Sequence, residues 1–393
     1  MANTLNLGNG NWATKEDSLL AYNSENGNFK PLPFDFTRAS SATVVNKAGL
    51  IETVGSGEPR IDFKDDAKGA LLLEPSRSNY VENSELTNTW TYTEFGSGSA
   101  GTITTGKTDM FGGTNAVQID FPADAENVAI RFGGTASALT SGSASLSLYI
   151  KLVESGSKDL QLRASFSGIV NVNSTEFTRV DLSGTKISAE LFNLKLRPSE
   201  GTSNGGFSII ICHPQEEQGS YPTSYIPTQG GVVTRSADVC NNGGNEQVFN
   251  DSEGVLFAEI EYPNSTTSSN LRIAISDGTG SNRILIQNVS FAPNRLQFYV
   301  IANGVVSTDF LTDLSDITSF NKIAFKYKTN DFSVWINGFE VLTDTSGSTF
   351  SDGTLNEFAF DGGDGAFDFY GNTKQIKYFN KALTDIELKA LTT

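Results

Sequence analysis

Asn-Gly falls twice between apolar runs in the C-terminal third, and this pattern narrows the fold more than any other feature of the chain. Phe298-Tyr299-Val300-Ile301-Ala302 leads through Asn303-Gly304 into Val305-Val306, and Phe332-Ser333-Val334-Trp335-Ile336 leads through Asn337-Gly338 into Phe339-Glu340-Val341-Leu342. A two-residue type I′ turn needs positive φ at both central positions, which Asn and Gly supply, so each stretch predicts a tight β-hairpin. Ile323, Phe325 and Tyr327 alternate with Ala324, Lys326 and Lys328, the period of a half-buried strand. Further strand-like runs cover Leu256 to Tyr262, Leu271 to Ile275, Ile284 to Ile286 and Glu357 to Phe360. Strands at this density, separated by turn residues, predict an antiparallel sandwich. Only the end differs: Thr384-Asp385-Ile386-Glu387 fits a capping box and predicts one short C-terminal helix.

The middle of the chain repeats the strand pattern. Leu146, Leu148, Ile150 and Leu152 alternate with Ser145, Ser147, Tyr149 and Lys151, and Leu160 to Phe166, Phe192 to Leu196 and Phe207 to Ile211 continue it. Gly and Asn clusters at 229–231 and 241–245 mark a boundary. The expected organisation is all-β: an N-terminal leader or attachment segment over 1–78, a jelly roll over 79–230, a linker over 231–249 and a second sandwich over 250–393. The leader has few long alternating runs, so it is expected to pack on the next domain or on another subunit.

A phrase recurs across these boundaries. Phe36-Thr37-Arg38-Ala39-Ser40-Ser41-Ala42 is echoed by Val233-Thr234-Arg235-Ser236-Ala237-Asp238-Val239. Each copy precedes a β domain, so each is expected to be a junction strand anchored by hydrogen bonds from Arg38 or Arg235.

Composition sets limits on partners. The chain carries 28 Lys+Arg against 45 Asp+Glu, a formal net charge of −17 with no basic stripe, which disfavours nucleic acid. Residues 1–18 lack a basic start and an apolar core, and no run of eighteen apolar residues occurs, so neither a secretory signal nor membrane insertion is expected. Cys212 and Cys240 are accordingly expected as free thiols.

Enzyme chemistry finds little purchase. His213 is the only histidine, sits before Pro214 at a strand end, and is expected to be structural. Glu259 and Glu261 alternate on a strand and read as a solvated face. Binding chemistry has more candidates. Trp335 lies on the strand face opposite Phe332, Val334 and Ile336, and Trp90 and Tyr92 share a face near the start of the jelly roll, so each is a candidate glycan-stacking ring. Asp361, Asp364 and Asp368 lie in one Gly-rich loop with oxygen ligands suited to calcium, although EF-hand spacing is missing. An acidic turn between strands is the plainer reading of that loop, and no other cofactor is expected.

Longer motifs carry a family resemblance. Phe36 to Thr43, Asn46 to Glu52, Pro59 to Phe63 and Leu71-Leu72-Leu73-Glu74-Pro75-Ser76-Arg77-Ser78-Asn79 resemble a leader of tailed-phage structural proteins. Pro214 to Gly219 with Thr223-Ser224-Tyr225-Ile226-Pro227-Thr228 resembles the closing strand of the jelly roll that follows this leader, which is similar to carbohydrate-binding modules. Trp335-Ile336-Asn337-Gly338 and the ending Tyr378 to Leu388 resemble the laminin-G/concanavalin A-like lectin fold. The resemblance implies a non-enzymatic head or tail fibre or decoration protein on the phage particle, assembled in the host cytoplasm. Its implied partners are other virion proteins, bacterial surface glycans and further copies of itself, a trimer being one arrangement. A purely structural virion component and a polysaccharide-degrading accessory protein are the competing readings.

Overall fold

The computed structural model describes the chain except residues 1–3, 11, 13, 16–17, 24–27, 86–91, 96–98, 100, 124–128, 137–138, 140, 164–165, 187–190 and 199–205. Backbone alone is described at 14–15, 18–23, 28–33, 92–95, 129–136, 163, 191–195 and 197. The described chain is almost entirely β, with one helix, Asp385–Thr392, at the C terminus. It divides into two units. One comprises 1–49, 54–75 and 236–393; the other comprises 50–53 and 76–235.

The second unit is an antiparallel sandwich of two five-stranded sheets. One sheet runs in the order Tyr92–Phe95, Ala129–Ala136, Leu191–Pro198, Lys158–Arg163, Ser167–Val172; the other runs Thr102–Lys107, Ala116–Phe121, Phe207–Gln218, Gly142–Leu152, Thr178–Lys186. The alternation read in the sequence is what fills it: Leu146, Leu148, Ile150 and Leu152 join Ile119, Leu160, Leu162 and Ile209 in one core. A strand's side chains point alternately to opposite faces, so one face of each sheet can be wholly apolar.

The first unit is also a sandwich. Its larger sheet runs Phe339–Asp344, Phe332–Ile336, Asn321–Lys328, Glu253–Glu261, Gly371–Phe379, Ala70–Leu73, Arg60–Asp62, with Leu5–Gly8 also paired to Gly371–Phe379. The facing sheet runs Val305–Asp313, Arg295–Ala302, Arg283–Asn288, Arg272–Ser276, Glu357–Ala359. Both Asn-Gly hairpins form as expected, with Asn303 and Gly304 at φ 53° and 74° and Asn337 and Gly338 at 49° and 87°. The capping box forms too, Thr384 accepting from the Glu387 amide and Glu387 accepting from the Thr384 amide.

The N-terminal segment departs from expectation. Residues 50–53 and 76–78 of it belong to the jelly-roll unit, while most of it, residues 1–49 and 54–75, belongs to the same unit as the C-terminal sandwich. Leu5–Gly8, Arg60–Asp62 and Ala70–Leu73 extend that sandwich's larger sheet, and Asn28–Thr37 pairs with Val239–Asn241. Leu5, Leu7, Phe34, Leu71 and Leu73 lie in its core. The stretch 231–249 likewise is no linker, since it holds strands Val233–Arg235 and Val239–Asn241 and the core residues Val248 and Phe249. Short apolar runs cannot close a core alone, yet they add readily to a sheet edge built by distant strands.

Both recurring phrases anchor as expected. Arg38 and Arg235 are buried. Arg38 donates to Asp238 (3.0 Å), to the Ser40 carbonyl (2.9 Å) and to the Gly55 carbonyl (2.5 Å). Arg235 donates to the Ser224 hydroxyl (2.9 Å) and the Thr223 hydroxyl (3.3 Å). The chain crosses from one unit to the other at the second phrase, between Arg235 and Ser236.

Candidate ligand-binding face

The residues nominated from sequence scatter. Trp335 is only 7% exposed. Its ring packs with Val255, Phe257, Leu383 and Leu388 in a small second core beneath the C-terminal helix. The strand Phe332–Ile336 is therefore buried on both faces, and Trp335 offers no open ring to a sugar. Trp335 does point to the face opposite Phe332, Val334 and Ile336, but the C-terminal helix covers that face. Trp90 lies outside the described residues, and Tyr92 belongs to strand Tyr92–Phe95, whose side chains also lie outside them.

The three aspartates nominated for calcium do not converge. Among the described residues no three His, Cys, Asp or Glu side chains converge on a metal position. Asp361 is buried and accepts from the Gly363 amide (2.6 Å), Asp364 pairs with Arg283 (3.3 Å), and Asp368 accepts from the Tyr370 hydroxyl (3.0 Å). Each carboxylate braces its own part of the loop. Burial pushes the Asp361 and Asp368 carboxyls above the usual carboxylate range.

What the loop does instead is frame the outer face of the smaller sheet. The antiparallel register sets Arg272 opposite Gln287, Gln287 opposite Gln297 and Gln297 opposite Leu311. Isoleucines 273, 284 and 286 with Phe298 turn inward to the core, so this row lies on the opposite face, where Gln287 is itself buried and Arg272 and Gln297 are partly exposed. Arg272 Nε donates to Gln287 Oε1 (2.6 Å), Gln287 Nε2 to Gln297 Oε1 (2.8 Å), and Gln297 Nε2 to Asp309 (2.8 Å). One continuous chain of hydrogen bonds thus crosses four strands and orients every amide in it. Tyr299 flanks the row, half-buried, with its hydroxyl pushed upward by burial.

Phe367 completes the face. Its ring is 50% exposed, and the Arg272 guanidinium lies 4.0 Å from the ring centroid. Its backbone stands at φ 63°, in the left-handed region that costs a bulky L-residue on the order of 1 kcal/mol or more. Gly363, at φ 77°, lets the loop seat on the sheet, because a Cβ there would come 2.7 Å from that of Ser276. Arg283 ties the loop down, donating to the Gly362 carbonyl (2.7 Å). An exposed aromatic held in an unfavourable conformation beside oriented polar groups can stack on an apolar ligand face while the partly exposed Gln297 amide reads its hydroxyls.

Two other clusters are structural in character. His213 is buried, with its ring 4.7 Å from that of Tyr225 and its nitrogens 3.3 Å from Glu85 and 3.9 Å from Asp109. Asp62, Asp65, Asp66 and Glu261 line a small hollow with Phe320 and Asn372. Glu261 is thus half-buried, not on a solvated face. Burial pushes its carboxyl up to about 7, although Asn372 donates to it at 2.6 Å. Folding therefore favours its protonated form, and the unfolded chain releases that proton near pH 4.5. Stability is expected to fall as pH rises from about 4.5 to about 7, because the native state then holds more protons than the unfolded state. Melting curves across this range should show a shallower decline in Glu261→Gln than in the parent chain.

No family model matches the chain, and no curated protein matches it in sequence. Solved structures resemble parts of it. A carbohydrate-binding module (CBM40) of the Ruminococcus gnavus IT-sialidase, bound to α2,3-sialyllactose, is 16% identical, covering 37% of this chain and 86% of its own at a TM-score of 0.32. Domain 4 of AbnA, a GH43 extracellular arabinanase from Geobacillus stearothermophilus in complex with arabinotriose, is 14% identical, covering 45% and 83% at 0.32. A prokaryotic β-1,3-1,4-glucanase from a mouse hindgut metagenome is 16% identical, covering 39% and 76% at 0.27.

Proposed function

We propose that this chain is a non-enzymatic glycan-binding protein of a tailed-phage particle, and that the outer face bearing Arg272, Gln297, Tyr299 and Phe367, with Gln287 buried behind it, is its binding surface. The observation that carries the binding role is Phe367, half exposed at a left-handed φ beside a prealigned row of amides. A rigid face loses little freedom when a ligand docks, which favours even a shallow site. The virion role is supported by the leader and closing motifs of the sequence. Many copies on one particle would turn weak single contacts into firm attachment.

The test is glycan-array binding with the full chain. Phe367→Ala is expected to weaken saturable binding about tenfold, on the scale of one aromatic contact. Equal binding by parent and variant would move the site elsewhere. Immunogold labelling of particles tests the virion role. A purely structural component is the second reading, favoured by the buried arginine anchors, and it predicts no saturable glycan binding at all.

A further inference from the structure

Arg272 makes no ion pair with a carboxylate among the described residues, although the chain carries 45 acidic residues. Its Nε is engaged by Gln287, and its other guanidinium nitrogens make no hydrogen bond among the described residues. The carboxylates nearby are committed elsewhere: Asp364 to Arg283, and Asp309 to the Gln297 amide. Arg283 adds a second positive group close enough to bear on Arg272 electrostatically, and Asp364 acts on it in the opposite sense without pairing to it. The guanidinium is also fixed in place, by the Gln287 bond on one side and the Phe367 ring on another. Its stem packs against the loop, where a Cβ on Gly362 would stand 3.3 Å from Arg272 Cδ.

A guanidinium with one edge used and its remaining donors held in a plane matches a carboxylate, which accepts two parallel hydrogen bonds. We infer that the face selects acidic glycans, with the carboxylate of a uronic or similar acidic sugar paired to Arg272 while its ring lies against Phe367. Neutral sugars can stack on the same ring but leave Arg272 unmatched. The inference rests on the binding role proposed above, and it goes further by assigning the charge class of the ligand.

The test pairs each acidic oligosaccharide with its carboxyl-reduced counterpart: oligogalacturonate, a hyaluronan tetrasaccharide and sialyllactose. Binding of the full chain to both members is measured by calorimetry at low and at physiological salt. At least one acidic member is expected to bind ten times more tightly than its reduced form, with the gap narrowing as salt rises. Arg272→Gln should abolish the gap. Arg272→Lys, which keeps the charge without the planar fork, should retain only part of it. Melting temperatures of both variants confirm folding. Equal binding of acidic and reduced members, or a preference that survives in both variants, overturns the inference. Binding of the reduced sugars alone, weakened by Phe367→Ala, would overturn it while leaving the glycan-binding role intact. Binding of neither kind would overturn both.

Discussion

Asp238→Ala is expected to destabilise the first unit by about 3–5 kcal/mol, the cost of removing one member of a buried charge cluster. Asp238 is the hub of that cluster. One carboxylate oxygen accepts from Arg38 (3.0 Å), and the other accepts from Arg60 and from the Glu74 amide (2.8 Å). Arg60 also donates to Glu74 (2.7 Å). The side chains of Arg38, Arg60 and Asp238 have no solvent exposure. Without the carboxylate, two guanidinium groups share a dry site with Glu74 alone as anion. Burial by itself works against the charged form of Arg60, and the adjacent Glu74 and Asp238 overcome it. Calorimetric unfolding of the full chain checks this. Asp238→Asn keeps the shape and some acceptor capacity, so its loss should be smaller, and equal melting temperatures for parent and Asp238→Ala would refute the account.

Asn79→Ala should destabilise the second unit by roughly 3 kcal/mol, on the scale of two buried polar groups left unpaired. Asn79 is fully buried. Its amide nitrogen donates to the Ile226 carbonyl (2.8 Å) and to Ser84 (3.2 Å), and its oxygen accepts from the Val81 amide (3.0 Å) and the Glu216 amide (3.3 Å). One side chain thus clasps the start of the jelly roll to its closing strand. Thr228 strengthens the same clasp by accepting from the Ser84 amide (2.9 Å). Asn79→Asp is the informative comparison, since it keeps the acceptor and loses the donor. Urea titration followed by fluorescence should place it well below the parent. A midpoint shift under a tenth of the parent value in Asn79→Ala would mean that the clasp is incidental.

These two sites explain why the leader and closing motifs were legible as motifs but not as contacts. Ser76-Arg77-Ser78-Asn79 and Thr223-Ser224-Tyr225-Ile226-Pro227-Thr228 stand far apart in the chain, and their wording follows from one buried hydrogen-bond network. The two arginine phrases were read correctly as anchors. Their acceptors were not readable, because Asp238 and Ser224 are ordinary residues until folding buries them beside a guanidinium.

The chain's own pattern determined its class and many of its local details. Period-two alternation, the two Asn-Gly turns and the Thr384 capping box are local devices, each set by φ preferences and side-chain alternation over a few residues. They settled strands, hairpins and the helix start without reference to the rest of the molecule. Pairing between distant segments was decided only in three dimensions. Leu5–Gly8 and Ala70–Leu73 join a strand near residue 375, so most of the N-terminal segment became part of the last sandwich. A helix covers Trp335, turning a candidate platform into core, while register across four strands lines up Arg272, Gln287, Gln297 and Asp309. Alternation tells which way a side chain points on its strand. Which strand lies beside it, and what covers the face, depends on burying apolar area across the whole unit, and that free energy is not written in any short window of sequence.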